Sequence, residues 1–476
     1  MMSADAPTTT DVRRDWAWLA IVTGVAAVLR FYHLGAWSFW ADEIFTLRDA
    51  RGFPGTLTMN PLTYACVAAC IKLFGVSEWS ARLAPALAGV ACAPLAYWAG
   101  RRLFSMWTGR AAALIVALSP WHLFWSQNAR HYVFTFMFAL VALVAFHEAM
   151  RETGAWWAAA ALAATVGVGL SHTPAGAFVL GPACYCLMKT ARRRAWATEG
   201  RRPYALLVYF GPMAVTGLVV LLVPALRSYV VAGWGRNAWA RSVPYIVMTY
   251  VHGVTLPVVA AAVVGAYGAR PWPSGRLLTV CGLVAPSAFF LVASLAQNVP
   301  GYYLFFTAAC AILLAGNACA WAITANPKAG VLALSILCAA LLGQDVMYHT
   351  AEQGGRAPWR QALATLRDEA GPEDAVYMLL PEIGEHYLQP SAERRPPAIR
   401  RLTSQLMARP DDLRAPDGGA AYVVVDMRSM ATLDPGGDFV VWLTRSGTRV
   451  ARVAAYARGS DRTIEAYRLL ERLAAK

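Results

Sequence analysis

Apolar runs of about twenty residues recur from Trp16 to about Met347, and they leave the chain few ways to fold. In a bilayer every backbone N–H and C=O must find a partner inside the protein, so such runs become helices. The 476-residue chain is 58% hydrophobic and only 15% charged, where a soluble protein carries about a quarter charged residues. Eleven spans are predicted, at 16–32, 82–100, 109–123, 130–150, 155–171, 173–189, 204–226, 244–267, 277–296, 301–324 and 329–347. The first is read as an uncleaved span, because no small-residue cleavage site follows it. The nine cysteines all fall in apolar segments and show no metal-ligand spacing, which fits small buried hydrophobes.

Charge orients these spans. The segment 60–75 is apolar but short and carries Lys72, so it can span or lie along the surface. If it lies along the surface, Arg101, Arg102, Arg110, Arg151, the cluster from Lys189 to Arg202, Arg270, Arg276 and Lys328 all face the side of the N-terminus. That is the positive-inside pattern at every short loop, and it makes 60–75 a juxtamembrane helix. The expected organisation is a cytoplasmic N-terminus (1–15), a membrane domain (16–348) with an outer loop at 33–81, and an extracytoplasmic tail (349–476). Nearly all of the net +14 belongs to the membrane part, where it reads as topology and lipid contact, not nucleic-acid binding.

The tail has no spanning run and reads as a small α/β domain. Helical spacing from Arg356 to Glu369 puts Trp359, Leu363 and Leu366 on one face. Strands are expected at 374–380, 420–426, 449–456 and 463–467, a short helix at 439–444, and an exposed loop at 389–401. Nothing in it resembles a phosphate loop, a nucleophile motif or a metal cluster.

Polar residues at span ends converge on the outer face. Asp42 and Glu43 follow the aromatic row Trp37, Phe39 and Trp40; Gln127, Asn128, Arg130 and His131 follow span 109–123; His172 follows span 155–171. Their order carries a resemblance. Trp40-Ala41-Asp42-Glu43, Asn60-Pro61-Leu62-Thr63-Tyr64, Leu73-Phe74-Gly75, Arg82-Leu83-Ala84-Pro85, Gly100-Arg101-Arg102-Leu103-Phe104, Leu118-Ser119-Pro120-Trp121-His122 and Ser126-Gln127-Asn128-Ala129-Arg130-His131-Tyr132 come in the order seen in the GT-C glycosyltransferases. The chain most resembles the bacterial branch related to protein O-mannosyltransferases and lipid A aminoarabinose transferases. The likeness is dense over residues 25–190 and recurs at Arg356-Ala357-Pro358-Trp359-Arg360. Two departures stand out: Asn60-Pro61-Leu62 where the family often has His-Pro-Pro or Lys-Pro-Pro, and Gly301-Tyr302-Tyr303 where it often has Arg-Tyr.

The resemblance implies a polytopic α-helical protein of GT-C type, in the plasma (inner) membrane. It would move a sugar from a polyprenyl-phosphate carrier to a lipid, glycan or protein acceptor on the outer face, with inversion. A carboxylate must take the acceptor proton, and fixed cations must meet the leaving phosphate. Asp42 is the implied base. Glu43 points about 100° away from it on a helix and holds an Arg or the acceptor. Arg130 is the first choice for the carrier phosphate, with Arg82 and Arg30 as further candidates and Arg30 a partner for Asp42 or Glu43. Gln127, Asn128, His131, His172, Asn60, Tyr302 and Tyr303 complete the substrate set. Each has a plainer reading as a cap, a snorkelling anchor or an interface aromatic. No cofactor is expected and metal-independent chemistry is favoured, with a divalent metal left open. A lipid-linked-sugar transporter and a non-catalytic glycan-assembly subunit are the alternatives.

Overall fold

A computed structural model describes residues 9–55, 60–152, 155–191, 202–232, 242–267, 273–297, 299–389, 395–414, 419–457 and 459–470. The basic run 192–201, Arg270, and most of the loop 227–243 with Arg236 and Arg241 lie outside the described residues. The chain forms two compact units. One is Met1–Tyr32, Gly52–Leu73 and Arg82–Asp345; the other is His33–Arg51, Phe74–Ala81 and Val346–Lys476. The second unit is therefore not cut off cleanly near residue 348, because two earlier pieces of chain belong to it.

In chain order the helices are α1 (Thr9–Phe31), α2 (Ala41–Arg51), α3 (Pro61–Phe74), α4 (Glu78–Leu103), α5 (Met106–Ala117), α6 (Pro120–Ser126), α7 (Tyr132–Glu152), α8 (Ala155–Ser171), α9 (Leu180–Ala191), α10 (Arg202–Leu222), α11 (Pro224–Ala232), α12 (Val243–Val254), α13 (Leu256–Ala266), α14 (Ser274–Ala293), α15 (Ala308–Ala325) and α16 (Pro327–Thr350). Among the described residues six helical stretches are long and apolar enough to cross a membrane, or seven if the bent pair α12–α13 counts as one.

The difference from eleven has local causes. The run expected as one span at 109–123 is broken at Ser119-Pro120. Ser119 caps a new helix by accepting the His122 N–H at 3.4 Å, and Pro120 starts it. This leaves α5 with 12 residues, about 18 Å of helix against a hydrocarbon core of about 30 Å. The run 244–267 is broken at Thr255, whose φ of 76° lies in the left-handed region, and α12 and α13 meet at 94°. The first half of 173–189 is a 3-10 turn, Thr173–Val179, which leaves α9 with 12 residues; the 3-10 turn Gly301–Thr307 runs on into α15, and Gly301–Ala325 remains one of the six. Helix α3 has 14 residues, about 21 Å of helix.

Within the first unit α7 packs on α8, α9 on α14, and both α5 and α13 on α15. Small residues permit these approaches, as in other membrane bundles. A Cβ on Gly181 would lie 2.7 Å from the Gly282 Cα, and one on Gly265 would overlap the Leu314 carbonyl. Asp15 ties α1 to two neighbours, accepting from the Tyr97 hydroxyl at 3.0 Å and from Arg110.

Among the described residues the second unit contains seven strands: β1 (Ala375–Met378), β2 (Ala398–Arg401), β3 (Ala421–Asp426), β4 (Gly447–Val453), β5 (Tyr456–Ala457), β6 (Ser460–Asp461) and β7 (Ile464–Leu469). Five form one sheet in the order β2-β1-β3-β7-β4, with β1 parallel to β2 and β3, and β7 antiparallel to β3 and β4. All six residues of β3 are buried, as expected of a continuous apolar run at the centre of a sheet. Helices α17 (Trp359–Glu369), α18 (Pro381–Tyr387), α19 (Ser404–Ala408), α20 (Met427–Leu433) and α21 (Asp438–Ser446) accompany it. Tyr377, Val423, Val425, Phe439, Leu443 and Tyr467 are central to its core. Strand β2 falls in the stretch expected to be an exposed loop; it is an edge strand with half-buried and exposed residues, so no apolar run announces it.

Candidate functional site

In the second unit, α2 starts directly after the aromatic row and carries Asp42 and Glu43 in its first turn and Arg48 and Arg51 at its end, both in accord with the helix dipole. The two carboxylates are in different surroundings. Asp42 is half-buried, whereas Glu43 is fully buried. The Glu43 Oε2 accepts from Arg356 Nε at 3.3 Å, and Arg356 also donates to the Gly354 carbonyl at 2.9 Å and the Tyr348 hydroxyl at 3.4 Å. Glu43 thus holds an Arg, as the sequence suggested, but the Arg is 313 residues along the chain.

A second pair lies beside it. Arg360 contacts Glu78 at 2.5 Å, donates to the Gly35 carbonyl at 3.1 Å, and donates its backbone N–H to Ser38 Oγ at 3.0 Å. The Tyr387 hydroxyl accepts the Phe39 N–H at 2.6 Å and donates to Glu78 at 2.9 Å. Burial and the adjacent Glu78 carboxylate both push that hydroxyl's pKa up, so it stays protonated and able to donate. His33 meets Trp37 edge-on, and His349 lies 6.3 Å from His33.

In the first unit Arg30 is fully buried at the end of α1. Its guanidinium donates to the carbonyls of Val116 (2.8 Å) and Ala117 (3.0 Å), the last residues of α5, and to Ala26. It also meets His122 Nδ1 at 2.9 Å. Arginine only donates, so this nitrogen accepts and the imidazole carries its proton on Nε2. Arg30 also interacts electrostatically with the buried Asp345. Gln127 answers in the other direction: its amide nitrogen donates to the carbonyls of Leu29, Arg30 and Tyr32 at 3.3, 3.0 and 2.7 Å. Arg30 thus caps the end of α5, and Gln127, which closes α6, caps the end of α1. These bonds are the plainer, capping reading given for both residues.

His131 and His172 do come together. Their rings stack at 4.2 Å and 15°, flanked by Tyr132 and by Tyr303, which meets His172 at 4.6 Å. Tyr302 lies against Tyr132 and Trp125. His131 Nε2 and His172 Nδ1 have no hydrogen-bond partner among the described residues, and Arg130 acts electrostatically on both rings. Arg82 and Asn128 are fully buried, and Asn60 donates to the Tyr64 hydroxyl at 3.3 Å. At Gly301 the backbone packs too closely for a side chain: a Cβ would be 2.6 Å from Thr249 Cβ and 3.0 Å from the Ile246 carbonyl. Among the described residues no three His, Cys, Asp or Glu side chains group as metal ligands.

Sequence reading quoted Arg356, Arg360 and His122 only as parts of motifs, gave them no role, and missed Glu78, Tyr387 and Asp345. Asp345 carried a usable signal, since a carboxylate inside an apolar run is costly without a function or a partner. Glu78 and Tyr387 are ordinary polar residues in sequence until the fold pairs them.

Residues 59–219 match the family model for dolichyl-phosphate-mannose-protein mannosyltransferase. The matched segment contains Asn60, Arg82, Gln127 to His131 and His172. Over the whole chain the structure resembles ArnT from Cupriavidus metallidurans in the apo state, with a TM-score of 0.60 at 16% identity, covering 97% of this chain and 99% of that one. The same protein bound to undecaprenyl phosphate matches at 0.56 with the same identity and coverage. The archaeal oligosaccharyltransferase AglB from Archaeoglobus fulgidus, in complex with an inhibitory peptide and a dolichol-phosphate, matches at 0.56 and 13% identity, covering 96% and 74%. No curated protein sequence matches significantly. The whole-chain likeness shows a fold shared with ArnT and AglB, and the match to the mannosyltransferase family model is confined to residues 59–219.

Proposed function

We propose that this protein is an inverting glycosyltransferase that uses a polyprenyl-phosphate-linked sugar and works on the outer face of the membrane. The observation that carries this reading is the split of the acidic pair. Glu43 is fully buried and joined to Arg356, while its neighbour Asp42 is half-buried at the start of α2. In one displacement the acceptor oxygen bonds to the anomeric carbon, the bond from that carbon to the carrier phosphate oxygen breaks, and Asp42 takes the acceptor proton. Arg130 and Arg82 are the cations assigned to the leaving phosphate; a guanidinium stays protonated and matches phosphate geometry. ArnT binding undecaprenyl phosphate, and AglB binding dolichol-phosphate, support a carrier of this kind. His131, His172, Tyr302, Tyr303, Asn60 and Asn128 are assigned to substrate, and the unit containing the sheet to the extracytoplasmic side.

The test is Asp42→Asn in purified protein supplied with a polyprenyl-phosphate sugar and candidate acceptors. Transfer should fall by about 10²–10⁴-fold, the range for loss of a general base. Full activity would overturn the assignment. A lipid-linked-sugar transporter is the second reading, favoured by the broken span at Thr255, since interrupted helices are common in transporters. Flipping of a labelled carrier lipid by proteoliposomes, unaffected by Asp42→Asn, would select it.

A further inference from the structure

From the geometry of the second unit we infer that Arg356 is a positioning residue for the reaction: acting through Glu43, it sets the direction of the Asp42 carboxylate. This rests on the reading of Asp42 as the base. Helix α2 is only 11 residues long, too short to be stable or well oriented by itself. Its entry is held by backbone contacts of the preceding loop: Phe39 N–H to Tyr387, and Gly35 C=O and Ser38 Oγ to Arg360. Trp37 lies flat against Gly354, a residue at φ 67° where a Cβ would be 2.6 Å from the indole Cγ.

These contacts place the start of α2, and the burial of Ile44, Leu47 and Ala50 sets which face turns inward. Glu43 adds a directional polar constraint at the turn that carries Asp42. Its carboxylate is fully buried and joined to Arg356, itself 3% exposed and held by Gly354 and Tyr348. Consecutive helical side chains are about 100° apart, so fixing Glu43 fixes Asp42. The Arg356 Nε that bonds Glu43, and the Nη1 that bonds two oxygens, come from one planar group, a geometry that lysine reproduces only in part.

The experiment is a double-mutant cycle in steady-state transfer with purified full-length protein. Arg356→Gln should lower kcat about 100-fold, the effect of misplacing a reacting group by roughly 1 Å, and leave the donor KM within about twofold. Arg356→Lys should recover part of kcat. In the Asp42→Asn background Arg356→Gln should lower the residual rate by less than about threefold, because the group it orients is already gone. Glu43→Gln, which keeps shape and leaves no carboxylate unpaired, should show the same kcat loss and the same masking, and it serves if Arg356→Gln unfolds. Equal factors in both backgrounds, or a rise in KM at constant kcat, would overturn the positioning role. If Asp42→Asn itself retains full activity, the assignment of the base has failed instead.

Discussion

Arg30 and Gln127 illustrate what a polar residue at the end of an apolar run can be for. Both looked like substrate ligands in sequence, yet the exposed carbonyls at two helix ends take the Gln127 amide nitrogen and most of the Arg30 guanidinium. Arg30→Met should destabilise the protein by about 1–3 kcal/mol, because it leaves the buried carbonyls of Val116 and Ala117 without their donor. Thermal unfolding in detergent would measure it. An unchanged midpoint would refute the capping role. Gly89 gives a second test. A Cβ there would lie 2.6 Å from Ser126 Cβ and 3.1 Å from Arg30 Nε, so Gly89→Ala should cost about 1–3 kcal/mol by overpacking. Neither role was legible in the sequence, because a helix end shows its motif but not the helix it meets.

At the scale of elements, helix periodicity located most of the apolar segments but not their breaks. Ser119-Pro120 was quoted as part of a motif, and its capping chemistry is what ends α5. The break at Thr255 is less legible, since a β-branched residue rarely adopts positive φ. Thr255→Gly should therefore be neutral or stabilising by up to about 1 kcal/mol in thermal unfolding, against the usual loss for glycine between helices. A clear loss would show that the bend depends on the threonine side chain. Helix α18 offers a pH test. Burial holds the His386 imidazole below its ordinary range, with Arg51 and Arg360 adding to the effect and Glu78 opposing it. The folded state then binds fewer protons than the unfolded chain below about pH 6.5, so stability should fall as pH drops through that value. His386→Gln should flatten the unfolding midpoint between about pH 7 and pH 5; an unchanged slope would exclude His386 as a contributor. The strands at 421–426 and 464–469 followed from apolar and alternating patterns, whereas edge strand β2 had no such pattern to show.

For the whole molecule, the charge pattern makes a claim about sidedness that stands apart from any site. Reporter fusions in the basic run 192–202 should report the cytoplasmic side, and fusions after residue 350 the opposite one. An external signal from the basic run would mean that α3 spans, reversing every later loop. The division into units was less accessible to sequence. His33–Arg51 and Phe74–Ala81 cluster with the chain after Val346, about 300 residues away, through Glu43–Arg356, Glu78–Arg360 and Tyr387–Phe39. The recurring Trp-Arg motif at 359–360 was visible, but not that its flanking arginines hold the acidic helix.

By itself the sequence determined the membrane class, the helical character of the apolar runs, the strands with apolar patterns and the order of motifs that points to the GT-C fold. These follow from local periodicity and from the need to satisfy backbone groups in lipid. Only the tertiary structure decided which carboxylate is joined to Arg356, that Arg30 and Gln127 cap helices, that Gly301 has no room for a side chain, and that His131 stacks on His172. Those outcomes depend on which distant groups meet, and a buried charge is settled by its partner in space, not by its neighbours in the chain.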